Sequence, residues 1–170
     1  DDLMLFAFLG DSTYNDGAVS LDEYRAEWRS NVERPEYRAL RASTSALATW
    51  DDHEFDNDYN PESLPAAQKA AAIRAFFDHQ PLRRDAVSAD RVYKRLRWGA
   101  TLELFVLDCR NERRPSTRTT PAAEYISVEQ MAWLKAGLET STATFKLILN
   151  SVPITDFPGV FDFAPQDRWE

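Results

Sequence analysis

Short apolar runs of strand length alternate along this 170-residue chain with segments of helical periodicity. Continuous apolar runs are typical of strands that are buried on both faces of a sheet. The predicted strands lie within residues 3–9, 43–50, 92–98, 102–107 and 145–149. The predicted helices lie within 20–32, near 37–40, within 65–78 and from 127 onward. This order of strand, helices, strand, helix, hairpin, helix and strand predicts an α/β fold with an antiparallel portion.

Two of the predicted helices begin at a capping-box pattern. Ser20 stands three residues before Glu23, and Ser127 stands three residues before Gln130. In a capping box the serine hydroxyl accepts a backbone N–H, and the side chain three residues later accepts the N–H of the serine. We therefore expect reciprocal hydrogen bonds at the start of both helices.

Polar side chains follow four of the predicted strands, at the point where each strand ends. These groups are Gly10-Asp11, Asp51-Asp52-His53, Asp108-Cys109-Arg110 and Asn150-Ser151. In sheets of this class, ligands bind beyond the carboxyl ends of the strands. If the strands are neighbours, the four polar groups converge, and the sequence predicts a binding site there.

The acidic run Asp51-Asp52-His53-Glu54 is unusual because it follows an apolar strand directly. Carboxylates at this spacing repel one another and raise one another's pKa unless a cation lies between them. The run is either a solvated surface loop or part of a cation site. Asp11 also allows two interpretations, since an Asp after Gly10 can be a turn residue or a metal ligand. Its position at a strand end favours the ligand interpretation.

A calcium loop of the EF-hand type is excluded. Asp56, Asp58 and Asn60 have the spacing of the first ligands, but Pro61 replaces the required glycine and Ala67 replaces the bidentate glutamate. The sequence still allows a site for a hard metal ion, with carboxylate, amide and phenolate oxygens as its ligands.

Three further residues each allow a structural and a functional interpretation. Cys109 is the single cysteine, so neither an internal disulfide nor a cysteine-based zinc site is available, and no motif places a base beside it. His79 lies at the end of a predicted helix and is expected to cap or pack. Arg110 follows a buried strand, where a guanidinium either binds phosphate through two donors or forms a salt bridge with one of the many acids.

Charge and hydropathy exclude two classes of partner. The formal net charge is −8 and the isoelectric point is about 4.8, so no broad basic surface is available for nucleic acid or an anionic membrane. No stretch of 18 apolar residues occurs, and no transmembrane segment is predicted.

Six segments, in this order, resemble the PhoD-like family of alkaline phosphatases and phosphodiesterases. They are GDSTY with Asp16-Gly17 after it, TWDDHEFDNDY, FFDHQPLR, RLRWGATLELFVLDCR, ISVEQMAWLKAGL and FKLILNSVPI. The resemblance implies the calcineurin-like metallophosphoesterase fold, a sandwich of mixed β-sheets flanked by helices. Residues 1–170 would form part of a single domain of this kind, incomplete at both ends.

The resemblance implies hydrolysis of phosphomonoesters or phosphodiesters at a two-metal centre that activates a hydroxide. The metals implied are ferric iron and calcium, or another pair. Asp11 would bridge both metals, and Tyr14 would bind iron as a tyrosinate. Asp52 would bind the second metal, with Asp51 as the less favoured choice.

Four further roles are carried over by position. His53 would donate a proton to the leaving oxygen. Asn57 and Arg110 would belong to the shell of the metals or the phosphate, with Arg110 able to assist catalysis. Asn150 would lie near the metals and contact the substrate.

The chain departs from the family pattern at two places. The family has a cysteine-bearing strand before GDxxY and a Gly-Asp-x-His segment after the last strand, and both supply ligands. Neither occurs here, so we expect flanking segments to complete the site and residues 1–170 alone to show little activity. The family resemblance also implies a secreted, periplasmic or cell-surface protein, and any leader would precede residue 1.

The alternative interpretation is a non-catalytic acidic module that binds calcium, or an inactive fragment of such an enzyme. Tyr14 distinguishes the two interpretations, because a calcium-only site has no need of a phenolate.

Overall fold

The computed structural model describes residues 3–86 and 88–154. The chain forms two compact units. The first lies within Asp1–Tyr59 and Ser63–Arg91, and the second lies within Asn60–Glu62 and Val92–Glu170. Each unit contains one β-sheet with its own helices, which confirms the predicted α/β class.

The sheet of the first unit consists of two parallel strands. Strand β1 (Leu5–Leu9) pairs with β2 (Ser45–Thr49), with Leu5 opposite Ser45 and Leu9 opposite Thr49. Both strands were predicted, but β1 is only half-buried, whereas the apolar run predicted burial on both faces. The reason is that β2 is its one partner among the residues that the structure describes.

Three helices belong to the first unit: α1 (Leu21–Val32), α2 (Pro35–Ser43) and α3 (Ala66–His79). The predicted capping box at the start of α1 is present, since Ser20 and Glu23 exchange both hydrogen bonds. Helices α1 and α2 connect the parallel strands, as such a crossover requires.

An aromatic core joins these helices to the end of β2. Trp28, Trp50, Phe55 and Phe76 are fully buried. Trp50 packs edge-on against Phe55 and Phe76, with ring centroids 5.4 and 5.0 Å apart. Such aromatic pairs contribute about 0.5–1.5 kcal/mol each beyond area burial. Because Trp50 and Phe55 flank residues 51–54, the core fixes the acidic run at both ends.

Within residues 92–154, the second unit contains a three-stranded sheet in the order β3-β4-β5. Strands β3 (Lys94–Trp98) and β4 (Leu102–Val106) form the predicted hairpin, and β5 (Phe145–Leu149) pairs with β4 in parallel. A short 3-10 helix, Pro115–Thr117, and helix α4 (Val128–Thr140) complete the described elements. Phe105, Leu107, Cys109 and Leu134 belong to the core of this unit.

The second predicted capping box is only half present. Ser127 accepts the backbone N–H of Gln130, as predicted. The Gln130 side chain instead accepts the backbone N–H of Asp108 and donates to the Asp108 carbonyl and to Glu112. Gln130 is fully buried, so its amide satisfies the backbone at the end of β4 rather than its own helix start.

None of the helices within residues 3–86 and 88–154 has the length and hydropathy needed to cross a bilayer.

Candidate metal centre

Parallel pairing of β1 and β2 brings the residues after both strands to one edge of the sheet. Asp11 follows Gly10 after β1, and Asp52 and His53 follow Trp50 after β2. One ligand atom each from Asp11, Asp52 and His53 lies within 4.8 Å of the others. The predicted convergence of these two strand ends is therefore present.

The turn after β1 uses two consecutive residues in the left-handed region of backbone conformation. Gly10 has a φ of 96° and Asp11 has a φ of 52°. Glycine adopts positive φ without steric cost, and Asp tolerates it better than most residues. This turn directs the chain from β1 across the end of β2.

Glu54 joins the two strand-end loops. Its Oε1 accepts the backbone N–H of Ser12 at 2.6 Å and the Ser12 hydroxyl at 2.7 Å. Its Oε2 accepts the backbone N–H of Asp51 at 2.8 Å and that of Asp11 at 3.1 Å. The side chain is fully buried, and burial raises the pKa of its carboxyl to about 7, while the Asp51 and Ser12 donors act in the opposite direction.

Asn15 makes a second connection between the loops. Its backbone N–H donates to the His53 carbonyl at 2.8 Å, and its side-chain amide donates to the Glu54 carbonyl at 3.0 Å. Asn15 is fully buried, so these bonds are shielded from water. A third link joins the Gly17 N–H to an Asp56 carboxylate oxygen at 2.9 Å.

His53 is oriented by Asp16. The His53 Nδ1 lies 2.8 and 2.9 Å from the two carboxylate oxygens of Asp16, which leaves Nε2 as the ring nitrogen outside this pair. Burial lowers the pKa of His53, but the Asp16 hydrogen bond and the charges of Asp52, Asp16 and Asp11 outweigh it, and the net pKa is raised. The imidazole therefore keeps its proton more readily than an ordinary histidine.

Tyr14 lies over the His53 ring. The ring centroids are 4.0 Å apart, and 58% of Tyr14 is exposed. Burial and then the charges of Asp11 and Asp52 raise the pKa of its phenol. A cation between these carboxylates would act in the opposite direction and favour the phenolate.

The donor set of Asp11, Asp52 and His53, with Tyr14 adjacent, fits a cation. Carboxylate oxygen, imidazole nitrogen and phenolate oxygen are ligands for hard and borderline metals. Asp11 and Asp52 carry like charges at short range, and a bound cation would offset their repulsion. The side chains present therefore have donor atoms that fit a metal ion.

Two other predicted ligands lie close in sequence but make different contacts. Asp51 is buried, and its backbone N–H bonds to Glu54. Asn57 is exposed, and its side-chain amide donates to Asp58 at 3.2 Å. Their metal-binding roles stay predictions.

Arg110 and Asn150 lie in the second unit. Because β4 and β5 are parallel, with Val106 opposite Leu149, both residues follow the same edge of that sheet. Arg110 is buried and its backbone N–H bonds to Asp108, while Asn150 is partly exposed. Their predicted roles in phosphate binding stay predictions.

Cys109 and His79 occupy packed positions. Cys109 is fully buried in the core of the second unit. His79 stacks on Trp28 and its Nδ1 bonds to the Ala75 carbonyl at 2.8 Å. The predicted packing role of His79 is confirmed.

Sequence reasoning missed Glu54, Asp16 and Asn15 as members of the site. The Glu54 and Asp16 contacts join residues 37 to 43 positions apart. The available signal was position, since Asp16 follows Asp11 closely and Glu54 ends the acidic run. Periodicity and capping rules describe local contacts and do not pair such distant residues.

A polar cavity of about 450 Å³ opens beside Asp11. Its lining is formed by Asp11, Ser12, Tyr14, Glu27, Ser30, Asn31, Arg34 and Tyr37. The cavity lies wholly in the first unit, between the strand-end loop and the region of α1 and α2.

Known proteins match the chain in sequence and in fold. Residues 2–168 match the family described as PhoD-like phosphatase. Alkaline phosphatase D of Bacillus subtilis (strain 168) is 28% identical over 159 residues, which covers 79% of this chain and 27% of that protein. A solved structure of PhoD superposes with a TM-score of 0.77 and 25% identity, covering 87% of this chain and 36% of the other. The chain thus spans about a quarter to a third of the length of these relatives.

Proposed function

Because the chain belongs to the PhoD-like phosphatase family, we propose that the protein containing it hydrolyses phosphate esters at the metal centre of the first unit. The observation that carries the proposal is the convergence of Asp11, Asp52 and His53, with His53 oriented by Asp16. The substrates proposed are phosphomonoesters and phosphodiesters.

We propose two cations, ferric iron and calcium, as the metals. Asp11 would bridge them, Tyr14 would bind iron, and Asp52 would bind the second cation, with Asp51 as the less favoured choice for that role. Asn57 would belong to the shell of the metals or the phosphate. Bound cations would neutralise the negative charge of the phosphoryl group and lower the pKa of a water molecule bound to them. The carboxylates of Asp11 and Asp52 and the phenol of Tyr14 would hold these cations, and the cations would offset the repulsion between the carboxylates.

His53 acts as the general acid in this proposal. The Asp16 carboxylate holds Nδ1, so the proton on Nε2 is the one available to the departing alkoxide oxygen. The Asp16 hydrogen bond favours the protonated form of His53, in the direction of a raised pKa. Asp16 fixes the ring orientation, as a carboxylate partner does for many active-site histidines.

A calcium module without catalysis is the second candidate. It accounts for the acidic cluster, but it gives no role to the His53–Asp16 pair or to the phenol of Tyr14 above it. An absorption band from tyrosinate-to-iron charge transfer in the purified protein distinguishes the two, since a calcium module has none.

The direct test is an assay of the full-length protein with p-nitrophenyl phosphate and bis-p-nitrophenyl phosphate. We expect turnover that a chelator abolishes and that added iron and calcium restore. Turnover that persists after complete removal of metal would contradict the proposed chemistry. Absence of turnover in a fully metal-loaded protein, with both substrates, would favour the calcium module.

Two further proposals follow the family. We propose that the protein acts outside the cytoplasm, as a secreted, periplasmic or cell-surface enzyme, which cell fractionation tests. We also propose that both units are parts of one metallophosphatase domain. A single cooperative unfolding transition of the full-length protein would support that, and two separate transitions would contradict it.

A further inference from the structure

We propose that Glu54 is a positioning residue, which sets the Asp11 carboxylate at the distance from Asp52 that a bound cation requires. This inference rests on the proposed metal centre, and it assigns a role to a residue outside the proposed ligand set. Glu54 is fully buried and its two oxygens accept four hydrogen bonds from the loops that carry the ligands.

The position of Glu54 is fixed independently of Asp11. Phe55, the next residue, is fully buried, stacks on Tyr59, and packs edge-on against Trp50. The carbonyl of Phe55 accepts the Tyr24 hydroxyl at 2.7 Å, which ties it to α1. Glu54 is therefore part of a rigid segment, and the Asp11 loop is the partner that adapts to it.

Glu54 contacts the backbone of the first residues of the Asp11 loop. Asp11 has a positive φ, a conformation that is uncommon for non-glycine residues although Asp tolerates it better than most. The N–H groups of Asp11 and Ser12 both point to the Glu54 carboxylate. Later parts of the loop are attached by other bonds, from Asn15 and Gly17.

The bonds to Glu54 position Asp11, whereas the bonds of Asn15 and Gly17 keep the rest of the loop folded against residues 53–56. A change at Glu54 alters the hydrogen bonds to the Asp11 and Ser12 backbone, while the Asn15 and Gly17 bonds still attach the loop to residues 53–56. The His53–Asp16 pair is likewise independent of the Glu54 side chain. We therefore expect loss of metal affinity in a protein that stays folded.

Glu54→Gln is the informative substitution because it keeps the size of the side chain. Its remaining oxygen can accept the two backbone N–H groups of Asp11 and Asp51. The new amide group then faces Ser12. The Ser12 hydroxyl can rotate and accept a hydrogen bond from this amide, but the Ser12 backbone N–H can only donate. The Ser12 N–H loses its acceptor, and the turn that carries Asp11 relaxes.

Glu62→Gln is the matched control. Glu62 also accepts a serine N–H and hydroxyl, those of Ser116, at 2.7 and 2.6 Å. It lies in the second unit. Ile73→Val controls for stability in the first unit, because it shortens a buried apolar side chain of α3.

The experiment is calorimetric titration of the full-length, chelator-treated protein with Ca²⁺, below the unfolding temperature of every variant. Loss of a group that orients metal ligands typically weakens metal binding by about 10–100-fold. We expect a weakening of this size in Glu54→Gln and wild-type affinity in Glu62→Gln and Ile73→Val. Unfolding temperatures measured in chelator report stability separately, and Ile73→Val shows how far lower stability alone changes affinity.

Several outcomes overturn the inference. One is a folded Glu54→Gln protein that binds Ca²⁺ as tightly as wild type. Another is Ile73→Val weakening Ca²⁺ binding as much as Glu54→Gln. If Glu54→Gln does not fold, Ser12→Ala takes its place, because it removes the Ser12 hydroxyl, one of the four donors to Glu54. Several-fold weaker Ca²⁺ binding in Ser12→Ala supports the inference, and unchanged affinity overturns it.

The wild-type protein separates this inference from the proposed function. If wild type binds no Ca²⁺ and hydrolyses neither ester, both are overturned. If wild type is active and Glu54→Gln binds Ca²⁺ as wild type does, only the inference is overturned.

Discussion

The orientation of the His53 ring is the basis of its proposed role in proton transfer. Its Nδ1 is held by both oxygens of Asp16, and its ring packs under Tyr14. Both contacts restrict the imidazole to one orientation, in which Nε2 is the nitrogen outside the Asp16 pair. An imidazole fixed in this way is suited to give its proton to a departing oxygen.

We predict that His53→Ala lowers the turnover rate by about 10²–10⁴-fold, the usual effect of losing a general acid, while bound metal is retained. The rate should fall less with an ester whose leaving group needs no protonation, such as p-nitrophenyl phosphate, than with an alkyl ester. Rates are compared with metal content from elemental analysis. Equal losses for both esters would contradict the proton-donor role, and loss of metal would show that His53 is a ligand. His79→Ala is the control, because His79 packs on Trp28 and bonds to a backbone carbonyl.

At the level of elements, the close approach of α4 to β4 depends on a glycine. A Cβ at Gly137 would lie 2.5 Å from a ring carbon of Phe105, which is inside van der Waals contact. Both residues are buried. The helix and the strand therefore pack at a distance that only glycine allows at this position.

We predict that Gly137→Ala destabilises the protein by about 1–3 kcal/mol, the usual cost of overpacking a core. Urea unfolding measures the change. Phe105→Leu relieves the clash, so the double variant should be more stable than the sum of the single changes predicts. Additive effects would show that the predicted contact between the introduced methyl group and the Phe105 ring does not control this packing.

Strand β4 also contains a buried carboxylate, Glu103, whose ionised form is stabilised by hydrogen bonds from its neighbours. The Arg95 guanidinium bonds to Glu103 at 2.6 and 3.0 Å, and Ser141 donates a further hydrogen bond. Arg95 first, and Ser141 next, lower the pKa of Glu103 from 4.5 to about 2. Ionised Glu103 thus stabilises the folded state above pH 4.5, and this contribution is lost as pH falls toward 2.

We predict that Glu103→Gln lowers stability at neutral pH and that its difference from wild type shrinks between pH 4.5 and 2. Urea unfolding of chelator-treated protein across this range checks the prediction. Glu139→Gln, at an exposed position of α4, serves as the control and should follow wild type at each pH. A difference that stays constant with pH would contradict the lowered pKa.

The elements themselves were largely predictable from local patterns. Strand β5 has the predicted bounds because its apolar run is short and bordered by polar residues. Gln130 departed from its predicted capping role because a buried backbone at the end of β4 competed for its amide. Asp11 and Asp52 were predicted from strand ends, whereas Glu54 and Asp16 act through contacts between distant residues that no local pattern reveals.

At the scale of the whole molecule, the predicted convergence of strand ends is shown for two pairs of strands, each pair within its own unit. The ends of β1 and β2 meet in the first unit, and those of β4 and β5 meet in the second. The first pair supplies Asp11, Asp52 and His53 to one cluster. A closed centre of two cations takes about seven or eight protein ligands, more than this cluster provides.

We predict that residues 1–170, produced alone, bind iron and calcium more weakly than the full-length protein and lack phosphoesterase activity. The cause is incomplete coordination, which leaves Asp11 and Asp52 repelling each other. Calorimetry and the p-nitrophenyl assays, run on both proteins in parallel, check this. Equal affinity and turnover would show that these residues contain every ligand the reaction needs.

Metal content of an Asp11→Asn variant of the full-length protein tests most directly whether the edge of β1 and β2 is a catalytic metal centre. An amide in place of the carboxylate removes the charge that would bridge two cations. We predict loss of both metals by elemental analysis and of essentially all turnover, with Asp22→Asn, an exposed acid in the first turn of α1, matching wild type in both. Wild-type metal stoichiometry with near-normal turnover in Asp11→Asn would contradict the account.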